Sequence, residues 1–394
     1  MKEKSSNVVL LGIVSFINDV SSEMIMPILP MFITALGGGG VVVGLVGGIR
    51  ESVSSILKVL FGYLSDRAGK RKIFVVFGYL ISSVFKLFLA FSRIWQNVLL
   101  FSGLERIGKG LRTAPRDALI AESMPDERGK GFGIHRALDT SGAILGSAIV
   151  FLLFWFLHLD FKAIILVAAV ISVFSLAPLH FVREKREQKR DITFKLSLKS
   201  LDLPLRMFIL VSGVFSLANF NYMFFILRAK EQFSGRLSVG VPIILYILFN
   251  IFYAAFAVPF GRLSDRIGRR KVIIFGYFLF SLTTLGFALF DSLLAFVLLF
   301  ALYGIVYAII DGNQRAYVSD LSPKDVRATA LGFYHTVVGI AALPASLIAG
   351  ILWQSVSPAM TFVYGCVLSA ASAILFISLG GYFRGSSFSS MERE

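Results

Sequence analysis

Two carboxylates stand four residues apart inside an apolar run near the start of the chain, in Asn18-Asp19-Val20-Ser21-Ser22-Glu23, with Pro27 and Pro30 just beyond. On a helix, Asp19 and Glu23 share a face. A carboxyl withdrawn from water keeps its proton at neutral pH, which is what a proton carrier needs. Pro27 removes a backbone donor and leaves nearby carbonyls without helical partners. A later apolar run opens with His135-Arg136-Ala137-Leu138-Asp139. Arg136 and Asp139 are spaced to pair across one helical turn, and His135 is a group able to titrate near neutrality. Another run carries Glu105, Arg106, Lys109 and Arg112. Glu105 is adjacent to Arg106, so it points elsewhere on a helix and need not be its partner; a structural ion pair to an acid of another helix is the alternative to a functional role. In the alternative, Asp19 or Glu23 is locked to Arg106 or Arg112 and never titrates.

The second half of the chain differs in character. Its apolar runs offer Asn219, Asn221, Tyr222 and Arg228, then Tyr246, Asn250 and Tyr253, then Tyr303, Tyr307, Asp311, Asn313 and Gln314, and finally Tyr334 and His335. Neutral hydrogen-bonding and aromatic groups suit solute recognition. Titratable groups therefore concentrate in the first half, and solute selection is shared, with Asn18, Lys109 and Arg112 contributed from the first half. Arg50 and Glu51 read as interfacial and Lys58 as snorkelling. Lys58, Lys86, Lys109, Arg112 and Arg136 together make a cation load that suits an anionic solute.

Elements able to position such groups must lie in a membrane. Of 394 residues, 56% are hydrophobic and 16% charged, with mean hydropathy +0.78. The apolar residues cluster in runs of roughly 20, enough to cross about 30 Å of hydrocarbon as a helix. Lipid offers no partner for an exposed N–H or C=O, so the spans must be helical. Twelve spans are expected: Val8–Leu36, Val41–Leu64, Ile73–Phe91, Asn97–Ile120, Gly131–Leu157 and Lys162–Val182, then Leu205–Leu227, Val239–Leu263, Val272–Phe290, Leu293–Ser319, Ala328–Trp353 and Met360–Gly380. This divides the chain into six-helix bundles at 1–182 and 204–384, a basic linker at 183–203 and a Ser-rich tail at 385–394. The net charge of +15 sits mainly in alternate loops. That is the positive-inside pattern, with both termini and the linker cytoplasmic, and not the mark of a nucleic-acid binder. The polar start runs into an apolar stretch too long for a signal-peptide core, so no cleavage is expected. Cys366 is the one cysteine, so no internal disulfide is possible, and no Cys/His cluster has metal-ligand spacing. No phosphate-binding G-x4-G-K-[ST] or hydrolase motif occurs, so neither an enzyme nor a cofactor is expected.

One stretch occurs twice, as Gly62-Tyr63-Leu64-Ser65-Asp66-Arg67-Ala68-Gly69-Lys70-Arg71-Lys72 and as Gly261-Arg262-Leu263-Ser264-Asp265-Arg266-Ile267-Gly268-Arg269-Arg270-Lys271. The offset of 199 residues recurs for Arg116 with Arg315, Arg128 with Arg327, and Gly133 with Gly332. The halves are therefore parallel repeats. The pattern G-x-L-S-D-R-x-G-[KR]-R-K closely resembles the loop signature of the major facilitator superfamily of secondary transporters. That resemblance implies two six-helix bundles related by a pseudo-two-fold, with a solute site between them near mid-membrane. It also implies a conformational latch made by Gly62, Asp66, Arg67, Gly69 and Arg71 with Arg116, and by Gly261, Asp265, Arg266 and Gly268. In it, Asp66 should meet Arg116 and the start of the eleventh helix. The run Glu105 to Arg112 resembles the superfamily's fourth-helix motif, whose arginine falls on Arg106 and is linked to proton coupling; Lys109 and Arg112 depart from it. Gly133, Gly142 and Gly146 resemble the glycines of the antiporter motif in the fifth helix, with Ser147 in place of its proline. Glu23 falls where drug/proton antiporters often carry an acid just before a proline.

The expected activity is proton-coupled movement of a small organic solute across the cytoplasmic membrane by alternating access. An efflux antiporter that works as a monomer and draws on the proton gradient fits best. An importer or uncoupled facilitator of an organic anion or chelate is the alternative, and a non-transporting receptor of the same architecture is an alternative of another class.

Overall fold

The computed structural model describes residues 2–124, 127–184, 201–322 and 327–383. All elements are helices: α1 (Lys2–Ile25), α2 (Leu29–Ala35), α3 (Gly40–Ala68), α4 (Arg71–Ala90), α5 (Trp95–Ser123), α6 (Arg128–Trp155), α7 (Phe161–Phe174) and α8 (Leu176–Phe181), followed by α9 (Leu203–Ala218), α10 (Met223–Lys230), α11 (Leu237–Ile267), α12 (Arg269–Leu289), α13 (Leu293–Asp320), α14 (Arg327–Ser355), α15 (Pro358–Ser378) and α16 (Gly380–Phe383). Eleven helical spans among the described residues are long and apolar enough to cross a membrane. Helix α5, which carries Glu105, Arg106, Lys109 and Arg112, is too charged to be among them. Most of the linker and the whole tail, 385–394, lie outside the described residues.

Two spans are broken at related places. Pro27 ends the first as a continuous rod, separating α1 from α2. The seventh predicted span is interrupted between Ala218 and Met223, separating α9 from α10. The breaks face each other. The Tyr222 hydroxyl donates to the Met26 carbonyl at 3.0 Å, a carbonyl that the break leaves without a helical partner.

The first half packs α4 on α5, α1 on α6 and α3 on α5; the second packs α11 on α13 and α12 on α15. Between halves, α3 lies along α14 and α6 along α11. The α3–α14 seam is made by glycines. A Cβ on Gly44 would stand 2.1 Å from the Ser346 carbonyl oxygen, and one on Gly350 2.4 Å from that of Gly40. Each signature stretch turns on a left-handed glycine, Gly69 at φ +62° and Gly268 at φ +97°. The start of the predicted linker docks on the first of these turns. The Glu184 carboxylate accepts from the Arg71 and Lys72 amides, and Lys72 Nζ donates to the Val182 carbonyl at 2.6 Å.

Candidate functional site

The carboxyls predicted to carry protons lie along the groove between the halves. Helices α1 and α6 cross closely because Gly142 and Gly146 admit the α1 backbone at Phe16 and Val20. That crossing brings the carboxyl of Asp19 in α1 against that of Asp139 in α6, close enough for each to act on the other. Two carboxyls side by side disfavour double ionisation, and a proton shared between them relieves the repulsion. Asp139 also accepts from Arg136 at 3.3 Å. Arg136 in turn donates to the Tyr253 hydroxyl of the other half at 2.7 Å, and Tyr253 donates to Asp311 at 2.9 Å. Arg315 closes the path on Asp311 at 2.5 Å. A continuous polar path thus runs from Asp19 across the groove to Arg315.

Glu23, one turn beyond Asp19, accepts from the Tyr246 hydroxyl across the groove at 2.7 Å. Neither Asp19 nor Glu23 forms an ion pair with Arg106 or Arg112 among the described residues. Lys109 is exposed on the same groove, as is Glu51. His135 is buried, its Nε2 2.8 Å from the Ser15 hydroxyl.

Several predicted placements need correction. Glu105 does pair with its neighbour, Arg106 Nε lying 3.1 Å from Glu105 Oε2; a long arginine bends back where burial removes competing water. Arg50, expected at the interface, is buried and lies 3.6 Å from the same Glu105 oxygen. Arg112 does not line the groove: it is buried against the Tyr79 ring at 4.4 Å, donating to Ser82 and Gly78. Asn313, Gln314 and Tyr334 were expected to recognise solute. They instead bond within the second half, Asn313 to Ile309 and Ser264, and Gln314 to Tyr277 and Tyr334. Asn219 accepts from Tyr307 and Asn250 donates to the Tyr246 carbonyl, whereas Asn221 reaches the Gly47 carbonyl of the first half at 3.3 Å.

The expected latch contact between Asp66 and Arg116 is not made. Arg71, five residues along, donates twice to Asp66 and also pairs with Glu122. Arg116 lies deeper, held by Asp117 at 2.9 Å and by Ser15. In the second copy, Arg269 bridges Asp265 and Asp320. Each signature cluster therefore closes on its own half. Arg67 and Arg266 are exposed, Gly62 packs near Ala114, and a Cβ on Gly261 would meet open space. At the opposite end the halves touch. Lys230 donates to Thr34, Arg236 to the carbonyls of Phe154 and Trp155, and the Val41 amide to Gln354. A cavity of about 240 Å³ lies at that end, lined by Thr34, Lys230, Glu231 and Trp353 among others, and includes none of the predicted site residues. Burial there pushes the Glu231 carboxyl above its ordinary range, with the Arg228 guanidinium opposing.

Sequence reasoning missed one arrangement altogether. Lys86 is 1% exposed. Its ammonium contacts only uncharged oxygens: Ser22 at 2.9 Å, Ser21 at 3.0 Å, Asn18 Oδ1 at 3.3 Å and Ser172 at 3.4 Å, with the Asn18 carbonyl at 3.5 Å. The clustering of serines on α1 was the available signal.

Paired helical breaks, two packed halves and a polar groove between them describe a multi-pass membrane protein built to hold a polar path between its halves. The comparisons give the family. The Major Facilitator Superfamily profile matches residues 11–249 and 208–384. An uncharacterised MFS-type transporter of Methanocaldococcus jannaschii is 57% identical over 380 residues, 95% of each chain. The chain belongs to the Major Facilitator Superfamily. A multidrug resistance protein, MdtH, of Aeromonas hydrophila is 24% identical over 79% of this chain and 78% of its own. Among solved structures, the nucleoside transporter NupG superposes with TM-score 0.76 at 15% identity, covering 96% of this chain and 99% of that one. PepTSo, a POT family transporter, gives 0.78 at 14% identity, covering 97% and 98%. These two likenesses concern the fold.

Proposed function

We propose that this protein is a proton-coupled secondary transporter of a small organic solute, in which the Asp19–Asp139 pair exchanges the coupling proton. One observation carries the reading: two carboxyls side by side in the groove, tied through Arg136 and Tyr253 to the opposite half. Loss of the shared proton leaves two like charges in contact. Relief comes if Arg136 moves toward them, and that movement weakens its bond to Tyr253. Protonation is thereby linked to contact between the halves. Glu23 and Tyr246 form a second cross-groove bond that solute or proton can displace.

In this reading α5 is the twelfth span, its cations facing the groove or their buried partners, and both termini are cytoplasmic. Alternating access in the cytoplasmic membrane then opens the signature-loop side in one state and the opposite side in the other. The chain acts as a monomer. The multidrug names of distant relatives support efflux. The second reading, anion uptake or facilitation, is favoured by the buried cations described below.

The test uses purified protein in liposomes with a trapped pH dye and an imposed proton gradient. The double variant Asp19→Asn, Asp139→Asn is expected to lose solute-linked proton movement while keeping solute exchange between equal pools. Proton-driven transport surviving in that variant would assign coupling elsewhere.

A further inference from the structure

The two helical breaks meet at a point where the Nη2 atoms of two guanidinium groups face a weak acceptor, beside a tyrosine hydroxyl that donates to the Met26 carbonyl. Arg50 Nη2 lies 3.6 Å and Arg106 Nη2 3.4 Å from the Met26 sulfur, and the Tyr222 hydroxyl lies 3.1 Å from it. A thioether is a poor hydrogen-bond acceptor, whereas guanidinium is the side chain best matched to planar oxyanions. Arg50 and Arg106 are 6% and 7% exposed, and Lys86 is 1% exposed; among the described residues Glu105 is the one carboxylate ion-paired with the two arginines. Three buried cations thus share one ion-paired carboxylate, while Glu51, Glu23 and Asp19 act on them from farther off. Buried charge without a partner is costly. A second observation is independent of charge. Glu105 Oε2 and Arg106 Nε, though 3.1 Å apart, lack hydrogen-bond geometry to each other or to any other described group. The Arg106 fork is thus turned away from its own ion-pair partner. Broken helices at matching places in the two halves mark solute sites in transporters of this design.

We infer that Met26 occupies the head-group position of a binding site for a small organic oxyanion, carboxylate or phosphonate, which Arg50, Arg106 and Tyr222 clasp when the Met26 side chain swings aside. The inference names the solute class for the transport reading above and rests on it. The void bounded by Arg50, Lys86 and Glu105 is about 10 Å³, room for about one water. The solute must therefore displace the methionine, a flexible side chain suited to moving. Tyr222 and Tyr246, with ring centroids 5.7 Å apart, flank the position and give an aromatic or apolar body a wall to lie against.

The experiment is isothermal titration calorimetry on the purified full-length protein in detergent, without any gradient. The probes are benzoate, phenylphosphonate and, as a matched cation, benzyltrimethylammonium. Benzoate or phenylphosphonate is expected to bind and the cation not; which of the two binds identifies the head group. Arg50→Lys and Arg106→Lys keep the charge but lose the fork, and each should weaken binding by about tenfold or more, the scale of one charge-assisted hydrogen bond. Met26→Glu supplies a tethered carboxylate. It should raise the melting temperature and abolish anion binding, whereas a mere packing role for Met26 predicts a lower melting temperature from an added buried charge. Absence of anion binding in both the wild type and Met26→Ala overturns the inference, as does a lowered melting temperature for Met26→Glu. Because no gradient is used, anion binding that persists while the aspartate variant loses proton-driven transport separates this site from the coupling assignment. Proton-driven transport without anion binding does the reverse.

Discussion

Tyr253 is a single hydroxyl between two charged groups of opposite halves, accepting from Arg136 and donating to Asp311. Replacing it with phenylalanine keeps the ring, which lies 5.8 Å under the Arg136 guanidinium, and removes only the bonds. Hydrogen bonds to charged groups are worth roughly 1.5–3 kcal/mol each. If this path links protonation to the meeting of the halves, Tyr253→Phe should leave solute affinity near wild type and lower the number of protons moved per solute, read with the trapped pH dye and a radiolabelled solute. An unchanged ratio would make Tyr253 a packing residue. This scale was partly legible in the sequence. Arg136 and Asp139 were readable because a spacing of three is a local fact. Asp19 stood out as an acid in an apolar run, but its partner is set by the α1–α6 crossing, and no spacing reveals that. Arg50 was misplaced for a related reason. A cation near the end of an apolar run looks interfacial until the neighbouring helices are known, and it is packing against Glu105 of α5 that buries this one.

At the scale of elements, the seam between α3 and α14 decides how close the halves come. The sequence from Gly37 to Gly48 displays its glycines openly, yet the reading above used glycine only in α6 and in the signature turns. What was missing was the facing set on α14, Ser346 and Gly350, more than three hundred residues from Gly44 and Gly40. Steric contact at Gly44 is with backbone, which cannot rotate aside. Gly44→Val should therefore push the helices apart at the end remote from the signature loops. A cysteine placed at Gln354, in a Cys366→Ser background, should then react faster with a membrane-impermeant maleimide than the same cysteine with Gly44 intact. Equal labelling rates would show that the seam yields by bending within α3 and not by separation.

For the whole molecule, the repeat made the family legible: a doubled signature at half-chain spacing resembles the superfamily's loop, and the profile match shows that family. The state of the molecule was not legible, because the same residues serve both states and only their partners change. Here the signature clusters close on their own halves, while Thr34–Lys230, Val41–Gln354 and Arg236 with Trp155 tie the halves at the other end. If transport requires those end contacts to part in each cycle, a covalent tie across them must stop it. Gly39 and Gln354 are suited, since a Cβ built on Gly39 lies 2.6 Å from the Gln354 side-chain oxygen. The variant Gly39→Cys, Gln354→Cys, with Cys366→Ser, is expected to oxidise readily and to lose net transport when oxidised. Reductant should restore it, and anion binding measured in detergent should survive oxidation, because the signature-loop side stays open to solvent. Transport that continues at the wild-type rate in fully cross-linked protein, verified by gel shift, would mean that this end does not part during the cycle, and alternating access would lose its structural basis here.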